Sequence, residues 1–138
     1  MDFVLNGVNA EQLRTVKATK ESATVIEAGD LVDEDGSGYI AKADASSAKI
    51  AYCPEGAAAG TTEVEITVGN DFELLGTGDA VFAIAQKGTE VDVVMDGNDQ
   101  QIDVGTSSTK VLTISPADDA GTVGSASNIR VKINKPIY

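Results

Sequence analysis

The sequence predicts an all-β (mostly β) fold: one compact single-domain β-barrel or β-sandwich, with an extended N-terminal arm and at most short helices. Three observations predict it. Several short segments alternate polar and apolar residues with the period of two that a half-buried strand requires. Turn-forming pairs built on Gly, Asn and Asp punctuate those segments, and the 14 glycines among short strands fit a small β fold. No stretch carries a sustained helical period, and the longest helical candidates cover only a turn or so.

Along the chain, residues 1–20 contain no hairpin signal, and Arg14, Lys17 and Lys20 outnumber Asp2 and Glu11. They read as an arm that orders on a partner, the contact then offsetting the entropy lost. Leu13, Thr15 and Lys17 would point one way in such an arm, and Arg14 and Val16 the other. The alternative is an ordinary edge strand over Leu13–Thr19. A short helix is expected at Ala10–Arg14, opening at Asn9. Residues 21–138 form the β domain. Asp35-Gly36 marks a turn, and Gly56–Thr62 a flexible loop. Glu63–Val68 alternates cleanly and predicts a strand, followed by a turn at Gly69-Asn70. Gly76–Asp79 is a further turn. Ala80–Ala85 is apolar on both faces and predicts a central strand or a subunit contact through Val81, Phe82 and Ile84. Asp96-Gly97 predicts a hairpin, Gln101–Val104 a strand, and Val111–Ile114 a strand that stops at Pro116, which has no N–H to give a ladder. A turn is expected over Pro116–Ala120, and Ile129–Asn134 closes the set as a strand.

Composition narrows the function. The 138 residues suit one domain, and with 42% hydrophobic but only 4% aromatic residues the core must be Val, Ile, Leu and Ala. Such a core favours added stability from oligomerisation or a partner surface. The net charge of −12 argues against nucleic acid and anionic membranes as partners. The charge is uneven: residues 1–20 and 110–138 are mildly basic, at +1 and +2, while 21–109 carry 3 bases and 18 acids. The ends would then meet an acidic partner while the middle faces solvent. Cys53 is the single cysteine, so no intrachain disulfide is expected and a reducing compartment suits the chain. Residues 1–20 show no signal-peptide pattern.

Chemistry tests fail one by one. The chain has no histidine, which removes the usual general base and the commonest metal ligand. Tyr52 and Pro54 flank Cys53 and offer no charge to stabilise a thiolate. Asp33-Glu34-Asp35-Gly36-Ser37-Gly38 has the wrong residues, Leu31 and Lys42, at the first and last positions of a calcium loop, and reads as an acidic turn. Asp96-Gly97-Asn98-Asp99 lacks a full ligand set as well. Gly56–Thr62 has no Lys before its Thr pair, so it is no phosphate loop. No enzyme activity, cofactor or metal is expected, and a binding or assembly role remains.

Two stretches carry a resemblance. Phe72-Glu73-Leu74-Leu75-Gly76-Thr77-Gly78-Asp79-Ala80-Val81-Phe82-Ala83-Ile84-Ala85-Gln86-Lys87-Gly88 is similar to proteins encoded beside the major capsid gene of tailed phages. So are Ile102–Thr106, Ser115–Gly124 and Lys132–Pro136. Together, over residues 60–136, the chain resembles the small capsid decoration (cement) proteins. The resemblance implies a β-tulip-like body, a homotrimer, and the major capsid protein as partner. It implies a place on the outer surface of the virion after synthesis in the host cytoplasm. It also implies that the arm residues Leu13, Arg14, Thr15, Val16 and Lys17 contact the shell. Two other readings stay open: another virion component, such as a tail-tube or head-fibre base protein, and a non-catalytic β-sandwich ligand-binding or adhesion module.

Overall fold

The computed structural model describes residues 2–6 and 13–137. They form one all-β domain of two curled antiparallel sheets. In chain order the strands are β1 (Val4–Leu5), β2 (Arg14–Thr19), β3 (Asp30–Glu34), β4 (Ile40–Lys42), β5 (Ala51–Cys53) and β6 (Glu63–Val68). They continue as β7 (Leu74–Gly76), β8 (Glu90–Asp96), β9 (Asp99–Asp103), β10 (Leu112–Ile114) and β11 (Ile129–Ile133). A six-stranded sheet has the order β1-β7-β11-β10-β8-β9, and a five-stranded sheet the order β2-β6-β5-β3-β4.

The period of two explains how side chains from these strands build two cores. Leu31 and Tyr52 point from the five-stranded sheet toward the other sheet. There they meet Leu74, Val93, Ile102, Leu112, Ile114, Val131 and Ile133 in one buried cluster. Their neighbours Val32, Ala51 and Cys53 point the opposite way. They join Val64, Ile66 and Val68 in a second cluster, against which Val16, Ala18, Ala57 and Ile137 pack. The five-stranded sheet is thus apolar on both faces. The aromatic contribution is small, as composition requires: Tyr52 and Phe72 meet at 6.3 Å between ring centroids.

Strand alternation locates β6, β9, β10 and β11 where the sequence predicts them. β10 ends before Pro116, and a turn follows in which the Ala120 N–H donates to the Ala117 carbonyl at 3.1 Å. The Asp35-Gly36 and Asp96-Gly97 pairs turn the β3–β4 and β8–β9 hairpins. Gly97 sits at φ 63°, a left-handed conformation that glycine adopts without steric cost. The 56–62 loop is pinned at its start by an isolated bridge between Ile26 and Ala57.

Two regions differ from expectation. Residues 2–6 and 13–20, expected within an arm, are built into the same two sheets as the rest. Phe3 is fully buried, its N–H donates to Gly29, and its carbonyl accepts the Tyr52 hydroxyl at 3.0 Å. Phe3 packs so tightly on Gly76 that a Cβ there would lie 2.5 Å from its ring. Val4 and Leu5 pair with β7, and the edge-strand alternative for Leu13–Thr19 is realised as β2. The expected helix at Ala10–Arg14 falls mostly outside the described residues; within them, Arg14 opens β2.

The expected strand Ala80–Ala85 is a loop ending in a short 3-10 helix, Ile84–Gln86. The backbone of this stretch is held by another loop and not by a strand. Gly78 and Phe82 donate to the carbonyls of Ala126 and Ser125, and Gly124 donates to that of Phe82. The Gln86 side-chain carbonyl then accepts the Ala83 N–H at 2.8 Å and closes the turn.

Candidate functional site

Two surface features carry the residues singled out by sequence. The first is β2. It lies at the end of the five-stranded sheet, paired on one side with β6 in unbroken register from Arg14–Val68 to Thr19–Glu63. The Lys20 N–H donates to the Thr62 carbonyl at 3.0 Å, so residues 20 and 62 form a hydrogen-bonded pair. Antiparallel ladders alternate, so Ala18, Val16 and Arg14 also bond to β6, while the backbone groups of Thr15, Lys17 and Thr19 face the open side. No other described residue makes a backbone hydrogen bond to those three. Arg14, Thr15, Lys17 and Thr19 are exposed, Val16 and Ala18 are half-buried against the second core cluster, and Leu13 packs against the first. Lys17 lies 3.4 Å from Glu63 with both side chains well exposed, a pair that solvent screens heavily.

The second feature is the joined pair of loops at 78–86 and 120–126. Neither Ala80–Gln86 nor Ala120–Asn128 contains a charged residue. Val81, Ile84 and Val123 are 54%, 59% and 63% exposed, a high value for large aliphatic side chains. Phe82, grouped with them by sequence, is 1% exposed and points into the core. Its ring lies on Gly121, where an added Cβ would come within 2.9 Å of it. Phe82 is therefore the anchor that holds the loops, and Val81, Ile84 and Val123 are what the loops display.

The remaining polar features have structural partners. The Asp35 carboxylate accepts the N–H groups of Ser37 and Tyr39, which uses it as a turn former. Asp33 accepts the Ser47 hydroxyl; burial pushes its carboxyl above the ordinary range, and Asp44 and Asp35 add to the effect. Asp30 is also raised, chiefly by burial, and its Oδ1 has no partner among the described residues. Its other oxygen accepts the Glu27 N–H and lies 3.6 Å from Lys42. Glu73 behaves oppositely: burial opposes its charge, but a two-point contact from Arg130 and a hydrogen bond from Asn6 hold its pKa below the ordinary value. Lys20 is 1% exposed, and its ammonium donates to the carbonyls of Glu21 and Thr24. Burial raises the Cys53 thiol, the reverse of what a nucleophile needs. Among the described residues, no group of three or more Cys, Asp or Glu side chains is placed to hold a metal, and no helix is long and apolar enough to cross a membrane.

Comparison with family models, with curated proteins and with solved structures found no match.

Sequence reasoning missed Val123, Phe3 and Gln100. Val123 had a readable signal, the charge-free run around it in so acidic a chain. Phe3 had one too, as one of only three phenylalanines. Gln100 had none. Its buried side-chain amide accepts the Leu31 N–H and donates to the carbonyls of Leu31 and Ala43, a role that only the meeting of two sheets creates.

Proposed function

We propose that this chain is a structural virion protein that binds the outer surface of an expanded phage capsid, as a homotrimer, and stabilises it by bridging capsomers. The observation that carries the reading is the uncharged, aliphatic surface of Val81, Ile84 and Val123 on a molecule of net charge −12. Copies that repel one another over most of their surface meet at lowest electrostatic cost where neither carries charge. This surface lies inside the stretch that resembles decoration proteins. Pre-ordering by Phe82 lowers the entropy lost on association, and β-branched side chains have little rotamer freedom to lose.

In this reading the loops join the three copies. The exposed basic side chains of β2, Arg14 and Lys17, face the major capsid protein, and the acidic middle of the chain faces solvent. Each contact can be modest, because a trimer engages several sites at once. Binding the expanded shell and not its precursor shifts the shell toward the expanded state. The role needs no catalytic residue, cofactor, nucleic acid or membrane.

The test is co-sedimentation of the purified protein with expanded heads that lack it, with sedimentation velocity on the free protein. The expected results are a trimer, saturable binding and heads that survive hotter treatment. Ile84→Glu should dissociate the trimer without unfolding the domain, since Ile84 is exposed. A protein that ignores such heads would overturn the proposal.

A further inference from the structure

Ten basic side chains serve a chain with 22 acids, and the fold treats them in two ways. Lys17, Lys42, Lys87 and Arg130 each have a carboxylate partner, and Lys20 is buried against two carbonyls. Lys49, Lys110, Lys132 and Lys135 are exposed, and none forms an ion pair among the described residues. Of the other cations only Arg14 shares that condition. The four lysines converge from separate segments. The Ile50 N–H donates to the Lys135 carbonyl at 2.9 Å, which sets Lys49 beside the C-terminal segment. The Lys135 ammonium donates to the Thr109 carbonyl, and the Asn134 amide to that of Lys110, both at 2.8 Å. Lys132 lies on β11 opposite Thr113 of β10.

The acids nearest to these lysines are engaged elsewhere. Asp92 is 2% exposed, and its carboxylate accepts the N–H groups of Ser108, Thr109 and Lys110 at 3.2, 2.9 and 2.8 Å. Those bonds fix the loop that carries Lys110, whose φ of 59° is a left-handed conformation that a side chain makes costly. Glu90 accepts from Asn134, and both oxygens of Glu73, which feels the charge of Lys132, are held by Arg130. Lys49 lines a cleft with Asp33 and Glu34 and pairs with neither. Gathering like charges without counter-charges costs the free protein, and an acidic partner recovers that cost. From this surface we infer that the four lysines form a second contact with the shell protein, one that takes an exposed acidic surface. The inference rests on the decoration reading, in which Arg14 and Lys17 provide the first contact. At a Debye length of about 8 Å in physiological salt, these local charges outweigh the distant acids. A second copy of this chain is the poorer occupant, because in that reading copies meet through uncharged loops.

The test is binding of the full-length protein to expanded heads that lack it, measured by co-sedimentation over a salt series. Wild-type binding should weaken as salt rises above the physiological level. Lys49 and Lys132 are exposed and unpaired among the described residues, so Lys49→Gln with Lys132→Gln should leave the circular dichroism spectrum and the trimer unchanged. This double variant should bind heads about tenfold more weakly, with a flatter salt dependence. Lys110→Asn suits its backbone conformation, removes a third charge and should weaken binding in the same direction. The control, Ser22→Glu with Ala58→Glu, changes the net charge by the same amount at exposed positions on other loops and should bind as the wild type does. Double-variant binding equal to wild type, or a control that loses as much, overturns the lysine contact and leaves the decoration reading standing. So does a double variant whose copies no longer associate, which makes a second copy the occupant. A wild-type protein that ignores the heads overturns both.

Discussion

β2 and β9 are both edge strands of similar length at the ends of neighbouring sheets, yet among the described residues one is sealed and the other is not. β9 is closed by a three-residue segment, Thr77–Asp79, by the carboxylate of Asp2, and from inside by Gln100, whose amide bonds to β3 as a neighbouring strand would. β2 has no such closure among the described residues. An unpaired edge invites aggregation, and proteins usually cover it or break it. The same chain solves that problem at β9 with one backbone segment, Thr77–Asp79, and the side chains of Asp2 and Gln100.

The comparison can be broken at several points. Gln100→Leu should have the largest effect. It leaves the Leu31 N–H and the Ala43 carbonyl buried without partners, while the Leu31 carbonyl keeps the Ala43 N–H, at a total cost of about 2 kcal/mol or more, read as a lower urea midpoint. Asp2→Ala should cost about 1–2 kcal/mol, because the Gln100 N–H loses a charged acceptor. Thr15→Pro should cost less than about 1 kcal/mol, since the N–H it removes bonds to nothing described. If it destabilises as much as Gln100→Leu, the β2 edge is covered and the contrast collapses.

A pH series sharpens the same contrast, because the sealed side holds the buried acid Asp30. Asp30 and Asp33 bind protons more tightly folded than unfolded. The folded state should therefore gain stability as pH falls from 7 through their raised values, a gain complete only below the ordinary value of 3.8. Glu73 works the other way: its contribution is present above its ordinary value of 4.5 and is lost as pH falls through its lowered one. The melting temperature should rise on mild acidification and then turn down. Asp30→Asn should flatten the rise while leaving the downturn in place.

Much of the fold was legible. Glu63–Val68 and Ile129–Ile133 alternate because each has one buried face, and Pro116 stops β10 for a local reason. The N-terminal segment was harder. Its alternation is present, with Val16 and Ala18 between Thr15, Lys17 and Thr19, but β2 pairs with a strand more than forty positions away and has no adjacent hairpin to announce it. Ala80–Ala85 misled for the opposite reason. Its run is apolar all round, but three of the six are alanines, which cost little to expose, and Phe82 alone supplies the buried anchor. The aliphatic surface was half visible from Val81 and Ile84; its other half, Val123, arrives from a loop about forty residues later, through backbone bonds that no local pattern encodes.

Cys53 gives the molecule a clock. Its sulfur is fully shielded on β5, one strand removed from β2 across β6, and it is the only thiol in the chain. An alkylating reagent can reach it only when that part of the sheet opens, so at high reagent concentration the labelling rate becomes the opening rate itself. A partner bound at β2 would slow that clock, and the native sulfhydryl would record its arrival and departure without any added label.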